Sequence, residues 1–270
     1  RGSRICSPLR HHSATWPQDG RGLYQRKGVA ANALVVSFEG RRYKPASPES
    51  ARLAMSTFAT QRLNMIDAQV RTNDVTDPRI HAAMGEVPRE RFVPTAKRAL
   101  AYADVPVEVS PGRYLLDPRT FSKLLALADV RPQDKVLDVG CATGYSAAVF
   151  ALLAQSVIAL EEDADLVRIA SELLPAVGSR AVVTQGPLNQ GFKAKAPYDV
   201  IFVNGAIGMA PEMLLSQLAE GGRLVAVISE GVRSHAMRFV REQGRIGSWA
   251  GFDASVPPLV GFSKTVGFVF

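Results

Sequence analysis

Cysteine is nearly absent: Cys6 and Cys141 are the two in 270 residues, and neither a disulfide framework nor a metal site follows from them. Histidine is as sparse. His11 and His12 lie in a basic tail, His81 falls on an early helix and His235 precedes a hairpin. No Ser-His-Asp or Cys-His arrangement is evident among them, so each reads as structural or solvated. A long apolar run is missing too. Ala33-Leu34-Val35-Val36 is too short for a signal-peptide core and far too short to span a bilayer, which leaves the cytoplasm as the expected compartment. An excess of one charge is missing from most of the chain as well. Residues 1–54 hold ten Lys and Arg against three Asp and Glu, which accounts for the whole net charge of +7; the remainder carries 22 of each sign. That balance argues against a phosphate-binding surface on the folded part, and so against nucleic acid as a partner.

What is present is ordinary for a soluble globular protein, with 47% hydrophobic and 21% charged residues. The tail, with Arg41-Arg42-Tyr43-Lys44 and scattered Gly, Pro and Ser, has little periodicity and reads as a disordered basic extension over 1–54. The chain starts at Arg1 and Met55 immediately precedes the first strong amphipathic pattern. The extension is therefore either genuine or upstream of a native start, and 55–270 is expected to be one domain.

From Ser56 the spacing Phe58, Leu63, Ile66, Val70 predicts an amphipathic helix, and a second short one runs through Ile80 to Met84 before Val87-Pro88 stops it. Val105–Val109 reads as extended and leads into the turn Ser110-Pro111-Gly112. Asp117-Pro118 opens a helix to Leu127. After Val130 the pattern alternates: strand 135–139, helix 144–153, strand 156–160, helix 163–174, strands 181–184 and 199–203, helix 211–218, strand 223–228. Such alternation implies an α/β fold, a doubly wound and mainly parallel sheet with its ligand along the C-terminal strand edge. An N-terminal helical segment precedes it. Arg238–Arg241 and Gly247–Trp249, flanking Glu242-Gln243-Gly244, add a C-terminal hairpin.

The most informative stretch is Val136-Leu137-Asp138-Val139-Gly140-Cys141-Ala142-Thr143-Gly144-Tyr145. An apolar strand breaks there into a glycine-flanked turn and then a helix. Glycine at 140 permits a backbone conformation closed to other residues and brings main-chain N–H groups near a ligand. The helix opening near Gly144 adds unpaired N–H groups and the positive end of its dipole. The dinucleotide fingerprint would need glycine where Ala142 and Tyr145 stand, so it fails twice. An acid before the first glycine, with G-x-x-x-G after it, instead resembles the first motif of the S-adenosylmethionine-dependent methyltransferases. In that family the loop (here Asp138, Gly140, Cys141, Ala142 and Gly144) wraps the cofactor, and an acid closing the next strand holds the ribose hydroxyls. Val157-Ile158-Ala159-Leu160 ends in Glu161, which the resemblance makes that acid.

Residues 55–264 resemble the protein-L-isoaspartate O-methyltransferases more widely. The matching segments are Val87-Pro88-Arg89-Glu90-Arg91-Phe92-Val93-Pro94, Ala101-Tyr102-Ala103-Asp104, Ala196–Val203, Gly221–Val225 and Val256-Pro257-Pro258-Leu259. The resemblance implies a Rossmann-like methyltransferase sheet, S-adenosyl-L-methionine as cofactor, and protein or peptide substrates bearing isoaspartyl residues. No metal, membrane or nucleic acid is expected, and a monomer is. Leu115 and Leu116 are expected on the acceptor side; Asp104 either orients the acceptor there or forms an N-terminal salt bridge, and Asn204 either borders the reaction centre or caps the following turn.

Two departures stand out. The family's Gln-Thr-Ile-Ser-Gln-Pro is here Arg113-Tyr114-Leu115-Leu116-Asp117-Pro118, so Leu116 replaces the Ser near the acceptor. Its Gly-Asp-Gly is here Gly186-Pro187-Leu188, and Pro187 offers neither side-chain acceptor nor backbone donor. A carboxylate acceptor, with a pKa of about 4, is already ionised near neutral pH and needs no general base, so catalysis rests on alignment. Isoaspartyl methylation is the leading expectation. A methyltransferase for another acceptor, or a non-catalytic cofactor-binding module, are the alternatives.

Overall fold

The computed structural model describes residues 58–231 and 233–262; the basic extension expected over 1–54 lies outside them. The first elements are helices α1 (Phe58–Met65) and α2 (Pro78–Glu86). Asp77 caps α2 by accepting from the Arg79 amide, with Pro78 in the first turn where its missing N–H costs nothing. Strands β1 (Val107–Ser110) and β2 (Arg113–Leu115) form an antiparallel pair of their own, turning at Gly112 with φ of 71°. Helix α3 (Pro118–Ala128) follows, capped by Asp117.

The α/β repeat then gives β3 (Lys135–Val139), α4 (Tyr145–Leu153), β4 (Ser156–Glu161), α5 (Ala164–Ala176), β5 (Val182–Gln185), β6 (Tyr198–Ile207), α6 (Glu212–Leu215), β7 (Leu218–Glu230), β8 (Arg233–Glu242) and β9 (Arg245–Asp253). The seven-stranded sheet has the order β5-β4-β3-β6-β7-β8-β9. It is parallel through β7 and antiparallel for β8 and β9. The central strands are apolar at successive positions because both faces are covered. Val136 joins one core with Phe121, Phe150 and Phe202; Leu137 and Val139 join the other with Ile201, Val203 and Leu224. Phe202 meets the rings of Phe150 and Phe121 edge-on, at 5.0 and 5.9 Å between centroids, an arrangement that adds about 1 kcal/mol per pair beyond burial.

Three features differ from expectation. The helix expected over 211–218 is the single turn α6, because β7 begins already at Leu218. Gly222 permits that early start: a Cβ there would sit 2.8 Å from the carbonyl oxygens of Ala219 and Tyr198. Strand β6 runs four residues past Val203, resuming its ladder with β7 at Ala206 and Ile207 beyond an irregularity. The expected hairpin is longer than its pattern indicated, spanning all of β8 and β9.

Candidate functional site

The parallel order places the C-termini of β3, β4 and β6 side by side, and the expected loop lies at that edge. Gly140, Ala142 and Gly144 all have positive φ, of 74°, 50° and 98°. A non-glycine residue at Ala142 is uncommon in that region, and a specific bond accompanies it: the Ala142 amide donates to Glu161 Oε2 at 2.8 Å. The amides of Gly140 and Cys141 donate to the Leu160 carbonyl at 2.9 and 3.2 Å. The loop's first three N–H groups are thus turned onto β4.

Glu161 stands where the sequence put it, at the end of β4, with its side chain fully buried. It is heavily committed. Oε1 accepts from Arg113 Nη1 at 2.5 Å and from the amides of Glu162 and Asp163, while Oε2 accepts from Arg113 Nη2 at 2.6 Å and from Ala142. The guanidinium and carboxylate form a two-pronged ion pair 5% and 0% exposed. Arg113 was not singled out from the sequence; its only signal was a lone cation heading the apolar run Tyr114-Leu115-Leu116. Leu259, at the end of the stretch Val256-Pro257-Pro258-Leu259, lies over the same loop. A Cβ on Gly140 would meet Leu259 Cδ1 at 2.9 Å and Arg113 Nη2 at 3.2 Å, and one on Gly205 would meet Leu259 Cβ at 2.9 Å.

Asp138 is also sealed. Ser146 Oγ donates to Oδ2 and Asn204 Nδ2 to Oδ1, both at 2.6 Å. Burial pushes its pKa up to about 7; the two hydrogen bonds oppose that, and the charge of Glu161 adds to it. Asn204 therefore braces the loop from β6, donating also to the Val139 carbonyl at 3.2 Å. Cys141 is buried, and burial raises its thiol well above the ordinary value, which makes it inert.

On the acceptor side, Leu115 and Leu116 are both buried. The Leu116 carbonyl accepts from Arg89 Nη2 at 2.6 Å, and Arg89 Nε donates to the Ala101 carbonyl at 2.6 Å. Arg89 is fully buried above the Tyr145 ring, 4.7 Å from its centroid, and desolvation lowers its pKa. It anchors the N-terminal segment to the site. Asp104 is not brought in: its carboxylate faces Arg119 at 3.5 Å in an exposed ion pair. Pro187 leads a short turn, Leu188–Gln190, beside the end of β5.

Arg89, Leu116, Gly140, Tyr145, Ser146 and Asn204 line a cavity of about 10 Å³, room for about one water. The groups that suit S-adenosylmethionine are present in kind: a glycine-turned loop, a helix start at Gly144 and a strand-end carboxylate able to accept two hydroxyl donors. In this conformation Arg113 and Leu259 fill the seat between them. Among the described residues, no group of three or more His, Cys, Asp or Glu is arranged to hold a metal ion.

The family model for protein-L-isoaspartate(D-aspartate) O-methyltransferase matches residues 60–250. A protein-L-isoaspartate O-methyltransferase of Koribacter versatilis is 37% identical over 209 residues, covering 77% of this chain and 94% of that protein. One from a Synechococcus species is 40% identical over 178 residues, covering 66% and 73%. Among solved structures, a protein-L-isoaspartate O-methyltransferase aligns with a TM-score of 0.66 at 23% identity, covering 74% of this chain and 67% of the other. A Plasmodium falciparum candidate for the same activity, solved with S-adenosyl-L-homocysteine, aligns at 0.65 and 22%, covering 74% and 98%. The structural likenesses establish the fold, and the sequence matches run from α1 through β9 across the loop, Glu161 and the Arg89 anchor. On that span the chain belongs to the protein-L-isoaspartate O-methyltransferase family.

Proposed function

We infer that this chain transfers a methyl group from S-adenosylmethionine to the side-chain carboxylate of isoaspartyl residues in damaged proteins. The observation that carries the reading is the family match over 60–250, coinciding with a loop and strand-end acid at the C-terminal edge of β3 and β4. The cofactor supplies an electrophilic methyl on a sulfonium. For their part, the loop would wrap the methionine end and Glu161 would take the ribose hydroxyls, while Leu115, Leu116 and Tyr145 exclude water from the acceptor side. No residue has to remove a proton, since the acceptor carboxylate is ionised. His81 fits that division of labour: Nε2 lies 2.6 Å from the Val75 carbonyl. His235 pairs with Asp253 at 2.7 Å on the hairpin.

The test is transfer of labelled methyl to an isoaspartyl peptide, against the same peptide with ordinary aspartate. Labelling of the first alone supports the reading, and labelling of neither overturns it. A second acceptor is favoured by one observation: Leu116, buried and apolar, stands where a hydroxyl donor to a carboxylate is expected. A small, less polar acceptor suits that wall better, and labelling of such a molecule in place of the peptide selects it. The same inference makes the enzyme a cytoplasmic monomer that engages neither nucleic acid nor membrane. The even charge balance after residue 54 supports the part of this that concerns nucleic acid; among the described residues no helix is long and apolar enough to cross a membrane. Light scattering on the purified chain checks the monomer.

A further inference from the structure

We propose that Arg113 is an internal occupant of the cofactor seat: its guanidinium holds the Glu161 carboxylate in place of the ribose hydroxyls, and cofactor binds by displacing it. This rests on the cofactor reading above.

The chemistry of the exchange is symmetrical. A guanidinium edge and a pair of vicinal ribose hydroxyls each present two donors to one carboxylate, so they compete for the same oxygens. A carboxylate offers about four lone-pair sites. At Glu161 three main-chain amides and two guanidinium N–H groups already use the two oxygens, and no hydroxyl can be added while Arg113 stays. The guanidinium also takes the ground a ligand needs beside the loop, since Arg113 Nη2 lies within 3.2 Å of where a Gly140 Cβ would be.

Arg113 follows directly on the exposed turn of a short, separate ribbon. Strands β1 and β2 pair only with each other, and a two-stranded ribbon is marginal by itself. The ribbon carries a register irregularity between Glu108 and Ser110 and turns at Gly112. An exposed ion pair, Lys97–Glu108 at 3.0 Å, is among its ties to the N-terminal segment, and exposed pairs are weak. Val107 and Leu115 hold the base of the ribbon in the main core, whereas Pro111 and Gly112 at its tip are exposed, so the displacement requires movement only of that tip and of the Arg113 side chain.

The experiment is calorimetric titration of S-adenosyl-L-homocysteine into wild type, Arg113→Ala and Arg113→Lys, with thermal melting of each protein alone and with ligand. Lysine keeps a cation beside the buried carboxylate but loses the fork, so it guards against a failure of the alanine variant to fold. The expected result is tighter binding in the order Ala, Lys, wild type, with at least a tenfold gain for alanine, or for lysine alone a gain of several-fold. Equal or weaker binding in a folded variant, with wild type binding well, overturns the proposal while the cofactor reading stands; Arg113 then belongs among the ligand's own contacts. Absence of binding in all three folded proteins overturns both.

Discussion

At the scale of single residues, Leu116 and Asp138 carry the most pointed consequences. Restoring a hydroxyl with Leu116→Ser provides a donor to a charged acceptor, an interaction of roughly 1.5–3 kcal/mol, or about tenfold to a hundredfold in rate if realised in the transition state. Methylation of isoaspartyl peptide should rise by that order, with cofactor affinity unchanged in calorimetry. Asp138 acts on stability. Its folded pKa of about 7 lies well above the ordinary aspartate value of about 4, so the folded state binds its proton first. The stabilisation this contributes is complete below about pH 4 and is lost as pH rises through 7. Asp138→Asn should therefore flatten that part of the stability profile between pH 4 and 7, and denaturant unfolding across the range measures it. The identities of Asp138, Gly140 and Glu161 were legible in the sequence because strand, turn and strand end fall in one local pattern. Arg113 was not, since its partner is 48 positions away and nothing in local periodicity says which buried acid a lone arginine will meet.

At the scale of elements, alternation of apolar runs made the parallel repeat readable, and the errors fall where glycine rather than apolar period decides the backbone. Gly222 lets β7 start early and cuts α6 to one turn; an apolar count over Pro211–Leu218 cannot see that. The β8–β9 turn is another such place. Gln243 and Gly244 both take positive φ, 51° and 73°, between the paired residues Glu242 and Arg245, the geometry of a tight hairpin turn that matches strand twist. A Cβ at Gly244 meets nothing within 4 Å, so Gly244→Ala tests backbone strain alone. It should cost about 1–2 kcal/mol, read as a fall of a few degrees in melting temperature. Gln243→Asn should move the midpoint the other way, because asparagine tolerates the left-handed region.

For the whole molecule, the charge asymmetry predicts a dispensable N-terminus: removing residues 1–54 should leave melting temperature and cofactor affinity nearly unchanged, whereas a large loss of either would make that segment structural. The sheet order has a further consequence for synthesis. The chain lays down β3, β4 and β5 in succession, but the strand that flanks β3 on its other side is β6, which ends only at Ile207. Until it arrives, the nascent half-sheet presents a bare inner edge, and pairing across such a sequence separation is slow. Leu259, which closes over Gly140 and Gly205, leaves the ribosome later still. Leu259 is synthesised more than ninety residues after Glu161, so the cover over the cofactor loop cannot close until the strands that carry both carboxylates have already been made.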